Sequence, residues 1–178
     1  NRIAEQFESP KVGEWVGNMK DHIVEHLDRF REQEDGSQQQ QQMAMMLGIS
    51  RPPHEEQFRE YQINVLVDNS DHDGAPVVIE ESPNYKNLFG TIEKVVDRSG
   101  KLVTDFTRIK AGSLLRASGG YLVINLLDAL TEPLVWKELK RTLKSRQVKI
   151  QTYDPFALFS TSGMDPQPIP LDVKLVVL

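Results

Sequence analysis

The segment from residue 119 to 130, GGYLVINLLDAL, constrains the fold of this chain more than any other part of it. Two glycines precede a run of apolar and β-branched residues from Tyr121 to Ile124. Such a run, bounded by a turn signal, is typical of a strand that is fully buried in an α/β sheet. We therefore predict a fully buried strand here.

Other segments alternate between strand and helix patterns. Predicted strands are INVLVDN (63–69), PVVIEE (76–81), VKIQT (148–152) and a last buried strand, DVKLVVL (172–178). Predicted helices are HEEQFREY (54–61), AGSLLRAS (111–118) and the helix PLVWKELKRTLKSR (133–146), which follows directly on Thr131. IEKVVD (92–97) and LVTDFTRI (102–109) predict a β-hairpin. The alternation predicts an α/β fold with a mainly parallel sheet and flanking helices.

In the third helix Val135, Leu139 and Leu143 are expected to face inward, and its basic residues form a solvated face. Those basic residues lie in its C-terminal half, where they complement the helix dipole: Lys140, Arg141, Lys144 and Arg146.

A helical segment comes before this α/β region. Ser9 and Pro10 form a helix-start signal, and an apolar stripe follows at helical spacing until a predicted end near Glu34. Its members are Trp15, Val16, Met19, Ile23, Leu27 and Phe30. A glutamine run from Gln38 to Gln42 and a proline pair then indicate a linker. We predict a helical segment over 1–36, a linker over 37–54 and an α/β domain over 55–178.

Composition excludes several classes of protein. The 178 residues contain no cysteine, which removes disulfides and thiolate metal sites. The net charge of −5 opposes a nucleic-acid surface, because such a surface needs a basic field. No apolar run approaches the roughly 20 residues that span a bilayer, so no membrane partner is expected.

Three motifs suggest chemistry that their surroundings do not support. His22, Glu25 and His26 form an H-x-x-E-H string that can bind zinc on a helix, but His26 falls within the apolar stripe, which favours a packed histidine and no metal. Ser99-Gly100-Lys101 lacks the remainder of a phosphate-binding loop and predicts a hairpin turn. Ser160, Ser162 and Gly163 lie in a proline-rich stretch that predicts a long surface loop.

The residues after the central strand are Asn125 and Leu126. In nucleotide-hydrolysing proteins the corresponding strand commonly ends in acids that hold Mg²⁺ and polarise water. Asn binds Mg²⁺ weakly and Leu cannot polarise water, while Asp128 comes too late to substitute. We therefore interpret Asn125 and Leu126 as degenerate acid-strand positions, and expect that this chain alone does not hydrolyse ATP.

Five consecutive blocks over residues 58–178 resemble the bacterial Lon-related ATP-dependent proteases. They are YQINVLVDNS, GAPVVIEESPNYKNLFGTIE, TDFTRIKAGSLLRASGGYLVINLLDAL, PLVWKELKRTLKSRQVKIQ and PIPLDVKLVVL. More narrowly, they resemble the branch whose AAA+-type module is interrupted by a helical insertion, and residues 11–34 are similar to the end of that insertion. The resemblance implies a partial AAA+-type fold. The last strand pattern stops at Leu178 without a cap, so we expect an internal fragment.

The resemblance also implies a function. The parent protein would be a cytoplasmic serine endopeptidase that uses ATP and Mg²⁺, assembles as a homo-oligomeric ring and degrades unfolded or damaged proteins. Its phosphate-binding loop and Ser-Lys dyad would lie outside this chain, which would hold no catalytic residue and no cofactor by itself. The alternative is a non-catalytic AAA-like scaffold or partner-binding module, and a zinc peptidase is a third reading.

A short segment after the strand PVVIEE is the candidate for substrate contact. Ser82-Pro83-Asn84 is turn-forming, so we expect the residues after it at or near a loop tip. In Lon-type rings an aromatic-hydrophobic-glycine loop lines the axial pore, and Tyr85, Leu88, Phe89 and Gly90 are similar in type and place. The alternative is that Leu88 and Phe89 belong to the core of a short helix.

Overall fold

The computed structural model describes residues 9–30, 58–71, 73–97, 100–151 and 164–178. The chain divides into two compact units, residues 1–62 and residues 63–178. The predictions for the glutamine run, for Ser99 and for Ser160, Ser162 and Gly163 lie outside the described residues.

The first unit contains one α-helix in its described part. Helix α1, Pro10–Glu25, begins with Pro10 in its first turn, as predicted, and buries Val16. It ends well before Glu34: His26 leaves the helical conformation with φ −119° and ψ 33°, and a 3₁₀ turn follows at Leu27–Arg29. The stripe is only partly buried, since Trp15 is 38% exposed and Leu27 53% exposed.

A second short piece packs against the end of this helical segment. A 3₁₀ turn at Arg59–Tyr61 brings Phe58 and Tyr61 beside Phe30, with ring centroids 4.9 and 5.5 Å away. Rings at these distances attract each other. The described part of the predicted helix 54–61 is therefore a single 3₁₀ turn.

The second unit is built on a parallel sheet of three strands. They are β1 (Val77–Glu80), β6 (Tyr121–Ile124) and β9 (Lys174–Val177), in the order β1-β6-β9. Both pairs are parallel, as predicted from the alternation of strands and helices.

The predicted hairpin is present as two nested antiparallel ladders. Thr91–Ile92 (β2) pairs with Ile109–Lys110 (β5), and Val95–Val96 (β3) pairs with Leu102–Val103 (β4). The Asp97 carboxylate accepts the N–H of Lys101 at 2.8 Å near the turn. One further antiparallel pair, Gln147–Val148 (β7) with Ile169–Pro170 (β8), contains part of the predicted strand VKIQT.

Short helices cover one face of the parallel sheet. They are α2 (Tyr85–Phe89), α3 (Ser113–Arg116), α4 (Leu126–Thr131) and α5 (Val135–Ser145). Their buried side chains meet those of β6 in one core, whose largest fully buried members include Phe89, Leu88, Leu114, Leu122, Ile124 and Leu139. In α5, Val135 and Leu139 are buried and Leu143 is half-buried. Lys140, Arg141 and Lys144 are exposed, as is Arg146 directly after the helix, as predicted.

Pro133 separates α4 from α5, and the helix predicted over 133–146 begins only at Val135. A residue that precedes proline is pushed out of the α conformation, and Glu132 accordingly has φ −76° and ψ 127°. Leu134 follows with a positive φ of 65° before α5 begins.

Two predicted strands are less buried than expected, and a third predicted strand is not formed. Leu122 and Ile124 of β6 are fully buried, but Tyr121 is 39% exposed, so only one face of this strand is sealed. Strand β9 is largely exposed rather than buried, since Val177 is 44% exposed. The segment 63–69 does not form a strand. Asn64 anchors it instead, because its side-chain amide donates to the carbonyls of Phe106 and Ile109 at 2.8 and 3.0 Å.

Candidate functional site: the carboxyl edge of the parallel sheet

The carboxyl ends of β1, β6 and β9 are level with one another. In the register of the sheet Glu80 pairs with Ile124, and Ile124 pairs with Val177. In open α/β sheets ligands bind outside the carboxyl ends of the strands, so this edge is the candidate ligand-binding site.

Asn125 comes directly after β6, and its side chain is already engaged. Its side-chain oxygen accepts hydrogen bonds from the backbone N–H groups of Leu127 and Asp128, at 2.9 and 3.4 Å. This is an N-cap of helix α4, and it satisfies donors that have no partner inside the helix. The residue at the acid position of the strand therefore holds a helix in place.

Leu126 holds the next strand through its backbone. Its N–H donates to the carbonyl of Leu178 at 3.0 Å, and the N–H of Leu178 donates to the carbonyl of Ile124 at 3.0 Å. The Leu126 side chain is half-buried. Asp128 is exposed in the first turn of α4, so it does not replace an acid at the strand end.

The acid at the end of the neighbouring strand is Glu80, which sequence reasoning missed. Its side chain is 11% exposed. One carboxylate oxygen accepts from the hydroxyl of Ser113, while the other accepts the N–H of Ser82 at 3.1 Å. Arg116 lies 3.6 Å from the same carboxylate and donates to the Ser113 oxygen at 3.0 Å.

This network ties β1 to helix α3. Ser113 is fully buried, and its hydroxyl also lies 3.0 Å from the carbonyl of Asn87 in α2. A buried carboxylate is costly unless it is paired and hydrogen-bonded, and Glu80 has both kinds of partner. A signal for this role was present in the sequence, because strand alternation places Glu80 on the same face as Val78, which packs against the core.

The candidate substrate segment is a helix rather than a loop tip. Tyr85 to Phe89 form α2, which Asn84 caps by accepting the N–H of Asn87 at 2.9 Å. Leu88 and Phe89 are 0% and 1% exposed, so their side chains belong to the core and do not reach solvent. Tyr85 is half-buried, with its ring 4.7 Å from that of Phe89.

Gly90 ends α2 at a very close approach of two backbone segments. It has φ 89°, and a Cβ built on it would overlap the carbonyl oxygen of Lys110. A Cβ on Gly112 would likewise overlap the backbone of Leu88 and Gly90. Gly90 is therefore required by packing. Of the four candidates, Tyr85 alone is partly exposed and could therefore contact a substrate chain. That contact stays a prediction.

The two histidines of the H-x-x-E-H string are engaged with neighbours within the first unit. Nδ1 of His22 lies 2.8 Å from the hydroxyl of Tyr61, and Nδ1 of His26 donates to the carbonyl of His22 at 2.9 Å. Their ring centroids are 4.2 Å apart. Across the described residues no group of three or more His, Asp or Glu side chains is arranged to hold a metal ion.

Comparison with known proteins places this fold. The sequence model of the family described as "LonB-like, AAA domain" matches residues 73–178, a range that contains all the described strands of the second unit. A comparison with curated proteins gives no match. In the part of the chain that the structure describes, no helix has the length and apolar character to cross a membrane. The matched range covers more than half of the chain and the whole parallel sheet, and the chain therefore belongs to the family of LonB-like AAA domains.

Proposed function

We propose that this chain is the central part of a Lon-type, ATP-dependent serine endopeptidase. In it the chain helps to position and pass substrate polypeptide and to assemble subunits, while other segments carry the phosphate-binding loop and the Ser-Lys dyad. The observation that carries the proposal is the family match over residues 73–178, joined to a parallel sheet in the order β1-β6-β9.

The carboxyl edge of the sheet favours a non-catalytic role for this chain within the parent protein. At the two neighbouring strand ends, the polar side chains are committed to the fold: Asn125 caps α4, and Glu80 is held by Ser113 and Arg116. Neither group is free to hold Mg²⁺ or to orient water. In the parent protein ATP and Mg²⁺ would then be bound mainly by residues of other segments.

The proposal extends to partners and place. Unfolded or damaged proteins would be the substrates, a homo-oligomeric ring the assembly, and the cytoplasm the compartment. Sedimentation velocity of the parent protein tests the assembly, since a ring requires a single species several times the mass of the protomer.

The test of the activity is degradation of an unfolded, fluorescein-labelled protein by the parent protein. We expect peptide release that requires ATP and that stops after a serine-directed covalent inhibitor is added. The 178-residue chain alone should release nothing under the same conditions. Release that survives the inhibitor but stops with a metal chelator would favour the zinc peptidase, and would overturn the proposal.

A second candidate is a non-catalytic AAA-like scaffold. The engagement of Asn125 favours it, because the strand end that carries acids in nucleotide-hydrolysing proteins here serves as a helix cap. A parent protein that forms rings but neither hydrolyses ATP nor cleaves protein would establish this function instead.

A further inference from the structure

Strand β1 has an open edge in the described structure. It lies at the end of the order β1-β6-β9, and no other described strand pairs with it. The N–H of Tyr121 donates to the carbonyl of Pro76 at 2.8 Å, which turns Pro76 toward β6. Since the backbone groups of a strand alternate between its two sides, Val78 also faces β6, while the N–H and C=O groups of Val77 and Ile79 face away from it.

The side chains of the same two residues are exposed as well. Val77 is 64% exposed and Ile79 is 69% exposed. Natural proteins usually shorten, charge or cover such an edge, because its free backbone groups accept another strand. Val77 and Ile79 are apolar and β-branched, and such side chains do not protect an open edge in this way.

A groove runs beside this edge. It has a volume of about 290 Å³ and is lined by Leu66–Asn69, Pro76–Val78 and Arg116. Residues 63–67 belong to no helix or strand, and their backbone groups make no hydrogen bond to the backbone of another described residue. The lining therefore combines two apolar side chains, Leu66 and Val67, with residues of the β1 segment.

The geometry points to the open edge of β1 as a docking site for an extended polypeptide, which would add to the sheet as a further strand. Binding would use the backbone groups of Val77 and Ile79, with apolar contacts to Leu66 and Val67. Recognition through main-chain hydrogen bonds depends little on sequence. The inference rests on the proposed function, in which the substrate is an unfolded chain, and it names the surface that would hold that chain.

Charge selects among extended chains. Residues 62–81 contain five acids, Asp68, Asp71, Asp73, Glu80 and Glu81, and no Lys or Arg. Hydrogen bonds from the hydroxyl and the backbone N–H of Ser70 lower the pKa of Asp68, which therefore remains a carboxylate. Arg116, the base in the groove lining, is paired with Glu80. The groove should thus prefer apolar strands flanked by Lys or Arg over strands flanked by acids.

The test measures binding of a fluorescein-labelled peptide, Lys-Thr-Val-Thr-Val-Thr-Lys, to the 178-residue chain by fluorescence anisotropy. We expect saturable binding that is at least about tenfold weaker for the same peptide with Glu at both ends. A tenfold difference corresponds to about 1.4 kcal/mol. Equal binding of both peptides, or no saturable binding, would overturn the proposal.

Two variants at one position separate backbone from side chain. Ile79→Pro removes the outward N–H but no bond to β6, a change that an edge strand tolerates, and should weaken binding at least about tenfold. Ile79→Thr retains the N–H and β-branching and should weaken it only a few-fold. Circular dichroism confirms that both variants are folded. An equal loss in both would assign binding to side chains and contradict strand addition.

A second measurement needs no variant. Hydrogen exchange followed by NMR should show that the Val77 and Ile79 amides become protected when the peptide is added, while the Val78 amide, already paired with β6, changes little. Protection of Val77 and Ile79 that rises with protein concentration without peptide would assign the edge to a second copy and overturn the proposal. None of these assays involves ATP or proteolysis, so their failure is distinct from failure of the proposed function.

Discussion

At the scale of single residues, polar groups and glycines at element ends fix this fold. Asn125 caps a helix, Glu80 joins a strand to Ser113, and Gly90 allows two backbone segments to meet. Each stands where a different residue type would leave a donor without a partner or create a clash. The three predictions at this scale test two of these positions and the remaining substrate-contact candidate.

The N-cap role of Asn125 predicts a graded response to substitution. Asn125→Ala should lower the free energy of unfolding by about 1 kcal/mol, because the N–H groups of Leu127 and Asp128 lose their acceptor. Asn125→Asp retains an acceptor and should be nearly neutral. Urea denaturation measures both, and an equal loss in the two variants would contradict the capping role.

The close approach at Gly90 predicts a larger effect. Gly90→Ala combines a Cβ that overlaps the carbonyl of Lys110 with a positive φ, so it should cost more than about 1 kcal/mol. The control is Gly74→Ala, where a Cβ meets nothing within 4 Å and φ is not positive. Thermal unfolding compares them. A Gly90→Ala variant as stable as the Gly74→Ala control would show that the backbone at Gly90 can shift at little cost in free energy.

Tyr85 predicts a functional effect in the parent protein. Tyr85→Ala should slow degradation of a folded protein while sparing cleavage of a short peptide, because only the folded substrate must be gripped and pulled. Tyr85→Phe retains the ring contact with Phe89 and serves as the control. Loss of both activities together, or a large fall in melting temperature, would mark Tyr85 as a structural residue.

At the scale of elements, the helices differ in how much of an apolar face they bury. Helix α5 has a well-buried apolar face: it buries Val135 and Leu139 while Lys140 and Arg141 remain in solvent. Helix α4 is different, because Ala129 is buried but Leu127 and Leu130 are 67% and 50% exposed. Apolar residues on these two helices should therefore differ greatly in their contribution to stability.

The contrast predicts the outcome of two truncations. Leu139→Ala should lower the free energy of unfolding by about 2–5 kcal/mol, since it leaves a cavity in the core. Leu127→Ala should change it by less than about 0.5 kcal/mol. Chemical denaturation of both variants provides the measurement. A large effect of Leu127→Ala would mean that contacts of the exposed Leu127 side chain, rather than burial in the core, stabilise α4.

At the scale of the whole molecule, the described helices cover one face of the parallel sheet, and no described helix covers the other. Val77, Ile79, Tyr121 and Val176 are 64%, 69%, 39% and 40% exposed on the open face. Parallel sheets are usually covered on both faces. In the described residues, this sheet is thus a half-covered layer whose carboxyl edge carries polar groups already committed to capping and ion pairing.

This arrangement predicts that the chain by itself does not bind ATP. Calorimetric titration at a protein concentration of about 100 μM should give no isotherm for MgATP, because a micromolar site at the strand ends would need acids that are free to hold the metal. The matched control is Asn125→Asp, which retains the cap and should also show no binding. A clear micromolar isotherm for the unsubstituted chain would refute the interpretation of Asn125 and Leu126.

The sequence by itself determined the elements whose evidence is local. Pro10 at a helix start, the apolar run of β6, the hairpin pattern and the amphipathic stripe of α5 were predicted correctly, because each depends on residues close together in the chain. The Lon-related AAA module was also evident from its blocks, and the family match confirms it.

Only the tertiary structure decided which segments find partners. INVLVDN has a strand pattern, yet it pairs with no described strand, and its Asn64 is held instead by Phe106 and Ile109 from a distant part of the chain. The substrate-contact segment became a helix because its Leu88 and Phe89 fill the core. Glu80 needed Ser113 and Arg116, more than 30 residues away. Pairing and burial are long-range quantities, so no local pattern could fix them.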